Sequence, residues 1–495
     1  MARTRPNVLL ICADQWRGDC LSIEGHPALH TPWLDQLALG GVRFTRAYSA
    51  VPTCIAARVA LFTGLAQGSH GRVAYADGVP WRYPVTLGGE FTRHGYDTIA
   101  IGKMHAYPER NRVGFKRVIL HDGYLHFGRN AHRKRLAAVD DYLPWLARQL
   151  GRKADYFDHG INCNSHVARP WDKPEYTHPT NWAVSQAVDY LVNRDGRKPF
   201  FMFLSFHRPH PPYDPPAWAF EQYLHADMPG VPAGDWATAA RLGELTGRDF
   251  SGSDPWINAR RPDTPWGIVR PEILRRARAG YWGLMTQIDH QVNRLLETLD
   301  EMRVLGDTWV CFVSDHGELM GDHHFFRKSM PYEGSARVPL ILSGPGGSGL
   351  LRNAALAQPV ELRDVMPTLL ECAGLPVPAS VEGRSLLPLA RGGTPAWREY
   401  VHGEHGAFGQ SVQWIATGRE KYVWFSGTGA EQFFDLAADP TESRDLAPSG
   451  DPRLLRWRAA LIRELEGREE GFVRDGALVP GRPVRATLRR TVARS

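Results

Sequence analysis

Short runs of consecutive apolar residues alternate along the chain with longer stretches in which apolar positions recur every three or four residues. The runs are NVLLICA (7–13), DTIAIG (97–102), PFFMFLSF (199–206), TWVCFVS (308–314) and VPLILSG (338–344). Runs of this length, rich in β-branched and aromatic residues, predict strands covered on both faces, and their alternation with helical patterns predicts a mostly parallel α/β sheet. The stretch PEILRRARAGYWGLMTQIDHQVNRLLETLDEM places Ile273, Leu274, Ala277, Tyr281, Leu284, Ile288, Val292, Leu295, Leu296 and Leu299 at helical spacing. It predicts one long amphipathic helix whose apolar stripe packs on the sheet. Regions 129–180 and 225–270 carry Trp, Pro, Asp and Arg without a period and predict long loops that shape a pocket.

From about Pro376 the texture changes. YVHGEH, SVQWIATG, EKYVWF and QFFDL predict short strands, and PRLLRWRAALIRELEG a closing helix. The expected organisation is a catalytic domain over 1–375 and a smaller antiparallel α+β domain over 376–495, with an Arg-rich tail after Gly471 expected to be poorly ordered.

Composition narrows the class. An apolar share of 43% in 495 residues supplies a large core. No run approaches the ~18 apolar residues of a membrane span. The N-terminal run after Arg3 and Arg5 is short and meets Asp14 directly, so it reads as a strand rather than a signal peptide, and the expected location is cytoplasmic. Six scattered cysteines without a C-x-x-C pair fit a reducing compartment. The net charge of +6 favours anionic ligands, but Arg and Lys are spread out rather than massed, which argues against nucleic acid.

The residues just beyond each strand carry the chemistry. After the first comes Asp14-Gln15, after the second Lys103-Met104-His105, after the third His207-Arg208-Pro209-His210, and after the fourth Asp315-His316-Gly317. In open α/β sheets ligands bind at the carboxyl ends of the strands, so four polar clusters at four such ends are expected to face one site. Asp14, Asp315 and His316, with the Gln15 carbonyl, suit a divalent cation with mainly oxygen ligands, although an Asp after a strand also caps turns. Lys103, His105, His210 and Lys328 suit a tetrahedral oxyanion and its leaving group. His207 reads equally well as structural. Cys54 stands at a predicted helix start with Arg58 one turn on; a free cysteine there is most often a small buried hydrophobe, while the helix start and Arg58 would favour an anion or an activated nucleophile. Thiolate phosphatase chemistry is disfavoured, because Ala60 occupies the position six after the cysteine where that signature has Arg.

These residues resemble the type I sulfatases of the alkaline phosphatase superfamily. That family's C-x-P-x-R, small-residue helix and Thr-Gly are similar to CIAARVALFTG, with Cys54, Arg58, Thr63 and Gly64. NVLLICADQWRGD, GKMH, RPHPP, VSDHGELMGDHHFFRKSMPYEGSARVPLIL, VEGRSLLPL and FFDLAADPTESRDLA resemble further family segments in the expected order over nearly the whole chain. The resemblance implies an alkaline-phosphatase-like fold and oxidation of Cys54 to formylglycine by a formylglycine-generating enzyme. It also implies one divalent metal, Ca²⁺ ahead of Mn²⁺, on Asp14, Gln15, Cys54, Asp315 and His316. In the implied reaction one hydroxyl of the hydrated aldehyde, held by Arg58 and the metal, attacks sulfur. His210 and Lys328 assist the departing alcohol. His105 deprotonates the second hydroxyl, which expels sulfate.

Three positions depart from the pattern. Ala56 replaces the usual proline, Gln15 the second aspartate and His316 the frequent asparagine. The last two resemble iduronate-type sulfatases and phosphonate monoester hydrolases, making a phosphonate or phosphodiester the alternative substrate; Lys103 and His105 favour sulfate. An inactive anion-binding homologue with an unmodified cysteine is the alternative from another class. The expected partners are a small carbohydrate or aryl sulfate and the formylglycine-generating enzyme, with no nucleic acid and no membrane, and a homo-oligomer is left open.

Overall fold

The computed structural model describes residues 5–125, 136–151, 154, 158–248 and 262–489. Its centre is an eight-stranded sheet. In chain order the strands are β1 (Asn7–Asp14), β2 (Val42–Phe44), β3 (Asp97–Gly102), β4 (Arg117–Leu120), β5 (Phe200–Pro209), β6 (Thr308–Ser314), β7 (Leu340–Ser343) and β8 (Ala354–Leu356). Their spatial order is β8-β2-β7-β6-β1-β5-β3-β4. Pairing is parallel except at β7, which runs antiparallel to both neighbours. All five apolar runs are therefore strands, in the mixed and mostly parallel sheet expected.

Every residue of β1 is buried, because both faces of the sheet are covered. Leu9, Ile11 and Ala13 point to one face, where they join Met202, Leu204 and Phe312 beneath the helices α2 (Pro179–Asn193) and α3 (Pro271–Glu301). Val8, Leu10 and Cys12 point to the other and pack with Phe201, Phe203 and Trp309 against α1 (Cys54–Thr63) and α4 (Val365–Cys372). The strand period of two thus divides one apolar run between two cores. Helix α3 is the long helix the spacing predicts; its middle, Ala279–Asp289, is buried on all sides, while Ile273, Leu274 and Leu296 are only half-buried.

The C-terminal strands β9 (Val401–Ala407), β10 (Gln410–Ala416), β11 (Glu420–Phe425) and β12 (Glu431–Asp435) form an antiparallel sheet in sequence order. One face carries Ile415, Tyr422, Trp424 and Phe433 against helix α5 (Arg453–Leu465). The other carries Val412, Trp414, Phe425 and Phe434 against Tyr48, Leu319, Phe325 and Tyr332 of the larger unit.

Two expectations are corrected. The tail is not poorly ordered through Arg489: Phe472 and Leu488 are buried, the Leu488 amide donates to the Gly71 carbonyl at 2.8 Å and the Val73 amide to the Ala486 carbonyl at 3.1 Å. The expected long loops contain the helices Tyr142–Leu150 and Ala239–Thr246. Pro144 hides the first of these in the sequence, yet it falls in the first turn, where its missing N–H costs nothing. Residues 129–135, 152–153, 155–157 and 249–261 of those stretches lie outside the described residues. Among the described residues no helix is long and apolar enough to cross a membrane.

Candidate active site

The carboxyl ends of β1, β3, β5 and β6 converge, and α1 starts above them with Cys54 as its first residue. The Cys54 thiol is buried. Its Sγ lies 3.1 Å from His316 Nε2, 3.5 Å from Lys328 Nζ, 3.7 Å from Asp14 Oδ1 and 3.9 Å from Lys103 Nζ. Burial and the Asp14 charge push the thiol pKa up, but Lys103, Lys328 and His316 outweigh them and bring it below its ordinary value. Burial likewise opposes ionisation of Asp14, yet Lys103, with His210, His316 and Lys328, holds that carboxyl well below the usual range.

Arg58, one turn further along α1, is fully buried and fixed by three bonds. Nε donates to Asp315 Oδ2 at 2.9 Å, and Nη1 to the Lys103 carbonyl at 2.7 Å and to Ser205 Oγ at 2.8 Å. Nη2 is buried with no hydrogen-bond partner among the described residues. A guanidinium held this rigidly, with one donor group left over, has the chemistry to bind an anion.

Lys103 leaves β3 through Gly102, whose φ of 92° and contact with the Ser205 carbonyl admit no side chain. Its ammonium pairs with Asp14 and lies over the Tyr124 ring at 6.0 Å. The Met104 and His105 amides both donate to Asp122 Oδ1 at 2.8 Å, which fixes the turn carrying His105; its imidazole stands edge-on to Tyr75 at 6.2 Å. His210 Nδ1 bonds the Pro211 carbonyl at 2.9 Å, its ring stacks on Tyr124, and burial followed by the Lys328 charge holds its pKa well below the ordinary value. Lys328 Nζ donates to Gln15 Oε1 at 2.8 Å.

Asp14, Cys54, Asp315 and His316 each offer a ligand atom, and these atoms lie within 4.8 Å of one another. His316 Nδ1 is tied to the Gly317 carbonyl at 2.9 Å, which turns Nε2 toward the two carboxylates, 3.4 Å from Asp14 Oδ1 and 3.7 Å from Asp315 Oδ1. Two buried carboxylates converging with an imidazole nitrogen fit a divalent cation. Gln15 stands at the edge of this group. Its side chain bridges Lys328 and Glu318, and its backbone amide donates to Asp315 Oδ1 at 3.1 Å.

The sequence reading missed the residues that hold these groups. Ser205, Asp122, Tyr124 and Glu318 are buried or half-buried around the site. Ser205 left one signal, a hydroxyl within an apolar run next to the strand end; the others left none. His207 lies with its Nδ1 2.6 Å from Arg208 Nη1, beside the ion pair of Arg208 with Asp214.

Fold and site together define a hydrolase of the alkaline-phosphatase type. The Sulfatase family model matches residues 6–375, and a model described as N-sulphoglucosamine sulphohydrolase, C-terminal, matches 321–470. The chain is 47% identical to an arylsulfatase of Clostridium perfringens over 97% of its own length and 98% of the relative's. It is 32% identical to the multifunctional alkaline phosphatase superfamily protein PehA of Trinickia caryophylli, covering 93% and 94%. It also superposes on the phosphonate monoester hydrolase of Agrobacterium radiobacter with a TM-score of 0.73, at 27% identity and 93% and 95% coverage. The chain belongs to the sulfatase family.

Proposed function

We propose that the protein is a formylglycine-dependent sulfatase that hydrolyses a sulfate monoester to an alcohol and inorganic sulfate. The observation that carries this reading is the convergence on Cys54 Sγ of Lys103, Lys328 and His316, with the free Nη2 of Arg58 one helical turn away. Formylglycine at position 54, formed by a formylglycine-generating enzyme, would supply when hydrated a hydroxyl nucleophile with a second hydroxyl beside it. Asp14, Asp315, His316 and the modified residue 54, with Gln15 adjoining, would hold one divalent cation, Ca²⁺ ahead of Mn²⁺, which would offset negative charge on the ester oxygens.

The chain's own residues do the rest. Arg58 Nη2 binds an anionic ester oxygen, and its bonds to Asp315 and Ser205 keep it in place without reorganisation. Lys103 and Lys328 bring positive charge to the side where negative charge grows as the ester bond breaks. Lys328 supplies the charge that compensates the departing oxygen, with His210 beside it; neutral and with its Nδ1 proton on the Pro211 carbonyl, His210 donates to that oxygen only after taking up a proton at Nε2. His105 serves as the base that frees sulfate. Six cysteines without a disulfide among the described residues, Cys54 included before its conversion, support maturation in a reducing, cytoplasmic setting.

The second reading, a phosphonate monoester hydrolase, is favoured by Gln15 and His316 and by the likeness to the Agrobacterium enzyme. Steady-state kinetics on matched aryl sulfate and phenylphosphonate esters separates the two, using protein co-produced with a formylglycine-generating enzyme. The sulfate should have the higher kcat/KM, and Lys103→Ala and His105→Ala should each lower its turnover by roughly a hundredfold, the scale of losing one acid, base or oxyanion donor. A wild-type preference for the phosphonate, with sulfate turnover indifferent to His105, would favour the second reading.

A further inference from the structure

One buried imidazole beside the site takes no part in the chemistry above. His405 lies on β9 of the C-terminal sheet, a strand tied through its backbone to the segment before Cys54. The Glu404 amide donates to the Ala50 carbonyl at 2.8 Å, in the segment that leads into Cys54. Gly406 packs beside Ala74, next to Tyr75, whose ring faces His105. The backbone thus fixes His405 from both sides.

Its tautomer is also fixed. Nδ1 donates to the Gly406 carbonyl at 2.7 Å, so the proton of the neutral ring sits there and Nε2 keeps its lone pair. The residue is 4% exposed, and Nε2 is buried with no hydrogen-bond partner among the described residues. Burial, together with His316 and Lys328 close enough to repel a proton, pushes the imidazole down to about 4, so the ring is neutral at pH 7. An unfilled buried acceptor is costly unless a ligand fills it. Arg58, Lys103 and Lys328 are donors suited to sulfate oxygens, whereas a lone pair repels such an oxygen and attracts a hydroxyl.

Resting on the sulfatase reading, we propose that His405 Nε2 accepts a hydrogen bond from a hydroxyl of the alcohol part of the ester, which makes a sulfated carbohydrate the preferred substrate class over a simple aryl or alkyl sulfate. A pocket built to bond a hydroxyl discriminates strongly against an analogue that lacks it, because its polar group is then left unpaired.

The test compares methyl glycoside monosulfates with cyclohexyl sulfate, which has a six-membered ring and no hydroxyl, on formylglycine-bearing protein. The wild type should favour its best glycoside sulfate in kcat/KM by tenfold or more. His405→Ala should bring that ratio toward one, mainly by raising KM for the glycoside, and His405→Gln, whose amide oxygen reaches the place of Nε2, should restore part of it. A wild-type ratio near one, which needs no variant to measure, overturns the proposal, as does a ratio unchanged in folded His405→Ala protein. Turnover of both sulfates at equal rates thus defeats the hydroxyl contact and leaves the sulfatase reading standing. Turnover of phenylphosphonate esters and of neither sulfate defeats both.

Discussion

Two clusters of buried charge lie at this molecule's two largest sheets, and they are built on opposite plans. In the C-terminal sheet, Lys421 of β11 is fully buried and its ammonium is enclosed by oxygens. It donates to the Pro331 carbonyl and to Glu442 Oε1, each at 2.7 Å, and pairs with Glu333 Oε1 at 2.9 Å. Glu442 Oε2 in turn accepts the Glu333 amide at 2.7 Å. The cluster closes on itself and ties the C-terminal sheet to the loop after Lys328. At the ends of β1, β3, β5 and β6 the charges are as deeply buried but the cluster stays open: Arg58 Nη2 has no hydrogen-bond partner among the described residues, and Asp14, Cys54, Asp315 and His316 bring four ligand atoms within 4.8 Å of one another. Burying charge is expensive in both places. Only where valences are left over does the expense imply a ligand.

The sharpest way to break this comparison is to empty the open cluster. Cys54→Ala should abolish turnover while leaving the urea midpoint within the range of an ordinary small core substitution, because the thiol closes no structural network. Peptide mass spectrometry of active wild-type protein should find the aldehyde or its hydrate at position 54. A fully active preparation in which Cys54 is an unmodified thiol would remove the basis of the proposed chemistry.

The closed cluster should respond the other way. Lys421→Met leaves Glu333 and Glu442 buried without their cation; Glu442, already raised to about 7 by burial, escapes into its neutral form, whereas Glu333, held against burial below its ordinary value chiefly by Lys421, loses its main counter-charge. Losing one partner of such a group costs about 3–5 kcal/mol. Urea unfolding should register that loss, with kcat changed far less than in Cys54→Ala. A variant that kept its stability and lost its activity would show that the closed cluster is not merely structural.

The contrast also explains how far the sequence could be read. The strands and the polar residues at their ends lie within short windows, so Asp14, Lys103, His105, His210, Asp315 and His316 were visible as strand-end chemistry before any geometry. The supporting residues were not. Glu318 braces Gln15 and the backbone before Lys328, and His405 comes from a sheet formed far along the chain whose Glu404 amide bonds the Ala50 carbonyl; no local period links either to Cys54. The tail misled because its charge suggests solvent, while its order comes from Phe472, Leu488 and backbone bonds to residues 71–73. Long-range pairing of this kind leaves little trace in composition.

The smallest expected effect concerns the seam between the two clusters. His323 is buried there, its ring packed against Trp236 and Tyr332, and its Nδ1 accepts the Gly234 amide at 3.1 Å. Burial above all, then the neighbouring His324, pushes the imidazole from 6.5 down to about 3. Because the folded pKa is depressed, the unfolded chain takes up a proton below about pH 6.5 that the folded chain refuses. The contribution of His323 is therefore complete above that pH and is lost as pH falls toward 3. Glu442, Asp289 and Asp322 are raised to about 7, 7 and 6 and act in the opposite sense over part of the same range, so the whole-protein curve mixes the two. The difference between wild type and His323→Gln isolates the histidine. At 1.36 kcal/mol per pH unit, the stability advantage of the wild type over the variant should shrink by about 2 kcal/mol between pH 7.5 and pH 5. Urea midpoints at both values for both proteins measure it. A gap that stays constant would mean that His323 already carries its proton in the folded seam, and that the Gly234 amide is not held by its lone pair.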